Sequence, residues 1–344
     1  PLLYQVATAG LSPADIAQPI RSLLSRYKNI QVLQGSVSGV DFANQTVQSD
    51  FGVFEFDYLL LACGATHSYF GNDSWSNLAP GLKTIEDATE IRRRILGAFE
   101  VAERTENVEE RKRHMTFVVV GGGPTGVELA GAIGEMSRFT LARDFRSINA
   151  RSTRVFLMEG GPSILAAFPT ELSDRAARDL ENLGVQIWTN SLVTVVDDHG
   201  VAVGDERIDA STVIWAAGVK ASSLGQQPGL DIDRQGRIKV GKDLSLPDQP
   251  HVFVLGDQAH ATDASGEPLP GLAPVAVQQG KFVARTIITD LAGRPRSEFH
   301  YVDKGIMATI GRNRAVCKSG KWKITGRFAW LMWLVVHIYF LTGF

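Results

Sequence analysis

An α/β fold of parallel sheets and crossover helices, built from two similar units in one chain, is predicted by three observations. Apolar strand-like runs alternate with helical patterns from residue 30 to residue 291. The stretch FVVVGGGPTGVELAG (117–131) reads as an apolar strand, a glycine turn and a helix. YLLLACGA (58–65) and VIWAAGVKA (213–221) look like one element used twice, an apolar strand ending in a small-residue turn with glycine.

Composition narrows the class further. With 344 residues, 44% hydrophobic, the chain can bury two or three cores, and no stretch is of low complexity. A net charge of −2 argues against a general nucleic-acid binder. Cys63 and Cys317 are the only cysteines, far apart and without a CxxC pair. A disulfide framework, a zinc ribbon and a dithiol redox centre are therefore not expected, nor is any other metal site. The first residues, PLLYQVATAG, carry no start methionine and open abruptly, so the chain reads as cut there. The lack of a visible targeting signal then carries no weight.

Taken in order, 30–42 and 58–65 read as strands. Residues 86–106 read as a helix, because Ile91, Ile95, Phe99 and Ala102 recur at helical spacing between charges. Strand 117–120, helix 124–137, strand 155–159 and helix 171–183 follow. Strands near 185–189, 192–197 and 213–218 come next, then strand 251–257 and helix 275–291.

The glycine stretch carries the chemistry. Gly121-Gly122-Gly123-Pro124-Thr125-Gly126 satisfies G-x-G-x-x-G between a strand and a helix. Gly121 permits the tight turn, Gly123 lets backbone approach a pyrophosphate, and Gly126 lets the helix pack on the sheet. The helix N-terminus would present N–H groups to the phosphates. A purely structural glycine turn is the alternative. The next strand ends in Glu159, placed to bind an adenosine ribose 2′-OH and to repel a 2′-phosphate, which favours NADH over NADPH. An ordinary surface carboxylate is the alternative there, and the interval from Gly126 is longer than usual.

Further on, HVFVLGDQA puts Gly256 and Asp257 at a strand tip, where an aspartate is otherwise a plain turn residue. LPGLAPVAVQQG (269–280) opens a helix whose first N–H groups would suit the charge that builds on a reduced flavin. Gln278 and Gln279 lie on it, as redox-site residues or as surface glutamines. Residues 304–327 carry seven Lys and Arg and no Asp or Glu, and 328–344 are apolar except for His337 and Thr342. As a helix the latter would span about 25 Å, less than the ~30 Å hydrocarbon core, so it reads as a monotopic membrane anchor. A buried core helix or a homodimer helix is the alternative.

These pieces together resemble the type II, non-proton-pumping NADH:quinone oxidoreductases. PLLYQVATAGLSP, GLKTIEDATEIRRRIL, GGGPTGVELAGAIGE, LGDQA, LAPVAVQQG and DKGIMATIGR carry the likeness, in the right order along nearly the whole chain. The resemblance implies two nested Rossmann-like domains, an FAD fold interrupted by an inserted NADH fold. The FAD domain would take 1–112 and 244–298, the NADH domain 113–243, and a membrane-anchoring segment 299–344. The first FAD fingerprint would precede residue 1, and the anchor would continue past residue 344.

Residue by residue, the resemblance puts Gly121, Gly123, Pro124, Thr125, Gly126 and Glu159 on NADH, and gives Ala217 and Gly218 as cofactor-binding. It puts Gly256, Asp257, Ala273 and Gln279 on FAD, with Ala7 and Thr8 along the flavin. Gln278, Lys304 and Met307 would border quinone and flavin, Lys304 stabilising the reduced flavin or feeding a proton to the quinone. Glu128 would lie near the contact of nicotinamide and flavin. Pro274 departs from the glutamine of many relatives, and Cys63 from a usual threonine.

The implied activity is transfer of two electrons from NADH through FAD to a membrane quinone, on the cytoplasmic face of a membrane. The alternatives are an NADH-dependent reductase of a soluble carrier, or a nucleotide-binding fragment.

Overall fold

The structure, a computed structural model, describes residues 2–226 and 229–342, the last four by backbone alone. In chain order its principal elements begin with α1 (Leu3–Ala7), β1 (Val37–Asp41), β2 (Thr46–Ser49), β3 (Gly52–Glu55) and β4 (Leu59–Leu61). Next come α2 (Ile85–Arg104), α3 (Val108–His114), β5 (Thr116–Val120), α4 (Pro124–Glu135), β6 (Arg154–Met158), α5 (Thr170–Asn182) and β7 (Val185–Trp188). A run of strands follows: β8 (Val193–Asp197), β9 (Gly200–Val203), β10 (Glu206–Asp209), β11 (Thr212–Trp215), β12 (Ser245–Leu246) and β13 (Gln249–Val254). The chain continues through α6 (Ala273–Leu291), β14 (Ile306–Gly311), β15 (Arg314–Ser319), β16 (Trp322–Thr325) and α7 (Gly326–Thr342).

Two compact units form. The first takes Pro1–Arg26, His67–Gly218 and Gly305–Phe344, the second Tyr27–Thr66 and Val219–Lys304. This division by contact follows different boundaries from the division by ligand that the resemblance implies, chiefly at 67–112 and 219–243.

The first unit is built on a parallel sheet in the order β11-β5-β6-β7. Every residue of β5 is buried, as a central parallel strand covered on both faces requires. On one face lie α2 and α4. Helix α2 begins at a capping box in which Thr84 accepts from the Asp87 N–H and Asp87 from the Thr84 N–H. Its Ile91, Ile95, Phe99 and Ala102 are all fully buried, as their spacing predicts. Each such large side chain contributes about 1.5–3 kcal/mol. The other face packs Tyr69, Val118, Phe156 and Trp215 with the antiparallel strands β8–β10.

Helix α4 meets backbone at three points. A Cβ on Gly126 would collide with the Gly121 carbonyl, one on Gly131 with that of Ile310, and one on Gly134 would lie 2.9 Å from that of Leu183. Ile310 belongs to the antiparallel sheet β14–β16, so the basic stretch expected only as a charged lead-in to the tail is largely a folded sheet. Lys323 in it is paired with Glu171. On that sheet lies α7, which buries Ala329 and Trp333. Phe328 (76% exposed), Leu331, Val335 and Ile338 stay out in solvent. No helix among the described residues is long and apolar enough to cross a membrane.

The second unit holds the antiparallel sheet β1-β2-β3 and the sheet β12-β13-β4, in which β13 and β4 run parallel. Residues 30–36, expected as part of a strand 30–42, are not a strand. Of the stretch 30–42, β2 pairs with Val37–Asp41 only. Helix 124–137 likewise ends sooner, at Glu135, and passes into a π-helical turn.

Candidate functional site

In the sheet of the first unit the chain runs from β5 to β6 to β7 in one direction, while β11 lies on the other side of β5. The crevice at the carboxyl ends of β5 and β11 is therefore a topological switch point, where open α/β sheets bind ligands. The glycine loop leaves β5 at this place. Gly121 has φ +112°, and a Cβ there would lie 2.5 Å from the backbone of Ala216. Only glycine fits. Gly123, the N-cap of α4, has extended backbone and no atom within 4 Å of where its Cβ would be. It is an open cradle. Pro124 and Thr125 form the first turn of α4, and no side chain caps that N-terminus.

Glu159 follows β6 directly. One carboxylate oxygen accepts from the Gly122 N–H at 2.7 Å and the other from the Gly161 N–H at 2.6 Å. The side chain expected at the ribose is thus fixed by one bond to the glycine loop and one to the backbone just past β6. Ala217 and Gly218 follow β11. The Gly218 carbonyl accepts from the Ser68 N–H.

Glu128, on the second turn of α4, is partly exposed. Desolvation pushes its carboxyl up to about 8, against a hydrogen bond from the Thr309 N–H of β14 that favours the ionised form. Nearby, burial and then the charge of Glu128 push the Tyr4 hydroxyl up. Tyr4 accepts from Gln5 Nε2 at 2.9 Å, and its ring lies 6.5 Å from that of Trp333. Ala7, buried, ends α1, and Thr8 donates to the Tyr4 carbonyl. Met307 is half-buried in β14.

The second unit brings together another set. Gly256 has φ +65°, and its N–H donates to Oε1 of the buried Gln279 at 2.7 Å. The Asp257 carboxylate faces Gly271, whose Cβ would lie 3.2 Å from it. Gln258 was not singled out by the sequence. It is fully buried, and Oε1 accepts from the Cys63 N–H while Nε2 is a buried donor without a partner among the described residues. Such an orphaned donor beside a strand-tip Gly-Asp suits an acceptor-rich group like the ribityl and pyrophosphate of a flavin nucleotide. Ala273 opens α6 under an N-cap, Leu272, with no side-chain cap. Gln278 makes a two-point bond to the Val302 backbone, both arms 3.0 Å, two residues before the exposed Lys304. Gln278 and Lys304 belong to this unit by contact, and Met307 to the first.

A parallel switch-point sheet with a glycine cradle, and a second sheet with a strand-tip Gly-Asp beside a buried unpartnered donor, fit a two-dinucleotide flavoprotein. The family profile of the pyridine nucleotide-disulphide oxidoreductases matches residues 1–280. The type II NADH:quinone oxidoreductase Ndh of Mycobacterium tuberculosis is 45% identical over 100% of this chain and 77% of its own length. NdhA of the same organism is 44% identical over 100% and 76%. The solved structure of NDH2 from Plasmodium falciparum in complex with NADH superposes with a TM-score of 0.88 at 22% identity. That match covers 99% of this chain and 87% of the other and shows the shared fold. The chain belongs to the type II NADH:quinone oxidoreductase family.

The Glu128 shift has a testable sign. Its carboxyl holds a proton up to about pH 8 in the folded state and only to about 4.5 when unfolded, so its contribution to stability falls as pH rises through that window. In the flavin-loaded protein, Glu128→Gln should flatten the decline of Tm between pH 5 and pH 8 (about the span of that window). Identical Tm slopes in variant and wild type would show that Glu128 ionises normally.

Proposed function

We propose that this chain oxidises NADH and reduces a quinone at a membrane surface, with FAD as the resident cofactor. The observation that carries this reading is the Gly123 cradle at the sheet's switch point, with Glu159 fixed beside it. When bound, FAD supplies the redox chemistry, accepting a hydride from NADH and passing two electrons to quinone.

The protein's residues bind, orient and protonate. Residues 113–243 hold NADH, with the pyrophosphate at the N-terminus of α4 over Gly123, Pro124, Thr125 and Gly126. Glu159 gives up its bond to one loop N–H and accepts from the ribose 2′-OH. Ala217 and Gly218 form the far wall. Residues 1–112 and 244–298 hold FAD, through Gly256, Asp257, Ala273, Gln279, Ala7 and Thr8, and Gln258 adds its unpartnered donor. Glu128 carries a proton at neutral pH because its carboxyl is desolvated. It is therefore a neutral hydrogen-bond donor where a carboxylate would repel developing negative charge. Gln278, Lys304 and Met307 line the quinone path, Lys304 as the proton source or the stabiliser of negative charge.

Residues 299–344 hold the protein on the cytoplasmic face of the membrane without crossing it. Supporting this, Trp322, Ile324, Phe328, Leu331, Met332 and Val335 line an apolar groove of about 660 Å³ on the outer side of β16 and α7. Trp333, within the apolar stretch 328–344, is 4% exposed against α1 and β15 and so does not face the membrane. The side chain of Tyr339 lies outside the described residues. Basic residues of this segment add about 1 kcal/mol each at an anionic surface, for those close to it.

Two measurements test this. Glu159→Gln should narrow the preference for NADH over NADPH by about 1–3 kcal/mol, the worth of a charged hydrogen bond; an unchanged ratio removes Glu159 from the site. In sedimentation with anionic liposomes, salt should weaken binding only in part. Complete release by salt would mean no inserted helix, and resistance to both salt and carbonate would mean an integral protein. Failure to sediment at any salt would fit a homodimer covering the same face.

A further inference from the structure

The loop from Ser68 to Asn72, in the first unit, holds an aromatic ring in an unusual state. Phe70 has φ +52°, a left-handed backbone that bulky residues rarely adopt, and it is 68% exposed. A single exposed apolar side chain is ordinary. The coincidence with strained backbone is not. Of the described non-glycine residues in this region of φ, Phe70 alone is aromatic, and the two leucines among them, Leu165 and Leu244, are buried in cores.

The surroundings hold Phe70 in place. The Ser68 N–H donates to the Gly218 carbonyl at 3.1 Å, and Trp215 Nε1 donates to the Ser68 carbonyl at 2.8 Å. The Asn72 N–H donates to the Tyr69 carbonyl at 3.0 Å. Beneath, Tyr69 stacks on Trp215 at 5.3 Å and is buried, so the loop is anchored by its neighbour and not by Phe70. The Phe70 ring meets Trp215 edge-on at 6.4 Å and lies over Gly218, where a Cβ would be 2.6 Å from Cζ. Gly218 thus makes room for this ring. Strain that is over-determined by its neighbours, on a side chain left open to solvent, is characteristic of ligand clamps.

The sheet order then says which part of the ligand the ring meets. On the reading that NADH occupies the glycine loop, the pyrophosphate lies at the end of β5, and Glu159 draws the adenosine to the β6 side. The nicotinamide riboside is left for the β11 side of the switch point, where Gly121 abuts Ala216 and Phe70 covers Gly218. We propose that Phe70 is a positioning residue for the nicotinamide half of NADH, its exposed ring packing against the nicotinamide riboside beyond the tip of β11.

Phe70→Gly separates this role from a structural one, because glycine relieves the left-handed backbone while removing the ring. In flavin-loaded protein, the variant should keep its flavin and a Tm equal to or above wild type. Its affinity for NADH should fall about tenfold, the scale of an aromatic stacking contact. The inhibition constant of ADP-ribose, which lacks nicotinamide, and the KM for quinone should not move, and Phe70→Tyr should restore NADH affinity. Wild-type NADH affinity in Phe70→Gly would overturn the proposal. So would an equal loss for NADH and ADP-ribose, or a fall in Tm that accounts for the loss. Wild-type protein in which ADP-ribose does not compete with NADH would instead contradict the reading of the glycine loop.

Discussion

At three of its glycines helix α4 must lie against backbone, and most of the first unit depends on this. At Gly126, Gly131 and Gly134 the helix surface carries no Cβ, and there it meets the carbonyls of Gly121, Ile310 and Leu183. The first approach closes the glycine loop under the helix N-terminus. The second brings β14 against the helix, and with it the whole sheet β14–β16. Side chains of ordinary size would push both contacts apart by several tenths of an ångström or more, which a close-packed interior does not absorb. One helix therefore sets the dinucleotide cradle and the base on which α7 sits.

The electrostatics follow from the same placement. Glu159 comes to the loop from β6 and accepts from two backbone N–H groups. Glu128 is carried by α4 itself into the desolvated space beside β14 and Tyr4, so it retains a proton to about pH 8. One carboxyl thus accepts from backbone N–H groups while the other keeps its proton through desolvation. Each arrangement suits its task in the proposed reaction, recognising a ribose hydroxyl or facing developing negative charge.

Local pattern made much of this legible. The glycine spacing identified the turn, the cradle and the close helix approach, because each depends on the missing Cβ of a named residue. Helical periodicity found the buried face of α2. What stayed hidden depends on partners far away in the chain. Nothing local marks Gln258 as the partner of Cys63, or Thr309 as the donor to Glu128. The lysines and arginines of 306–325 mask two buried faces, Ala308, Ile310 and Val316 on one side of the sheet and Ala315 and Cys317 on the other. The stretch 328–344 is apolar on nearly all sides, and such a pattern does not reveal that its own protein covers Trp333. The exposed apolar row is the remainder.

The central claim is that the loop at 121–126 receives NADH and that FAD is held elsewhere. Gly123→Val tests it most directly, because the extended backbone at 123 accepts valine and no protein atom lies within 4 Å of the new Cβ, so the fold itself is not disturbed. Titration of the flavin-loaded variant with NADH should show no binding, with flavin absorbance and Tm as in wild type. Loss of flavin with NADH binding retained would contradict the account and reverse the assignment of the two nucleotides.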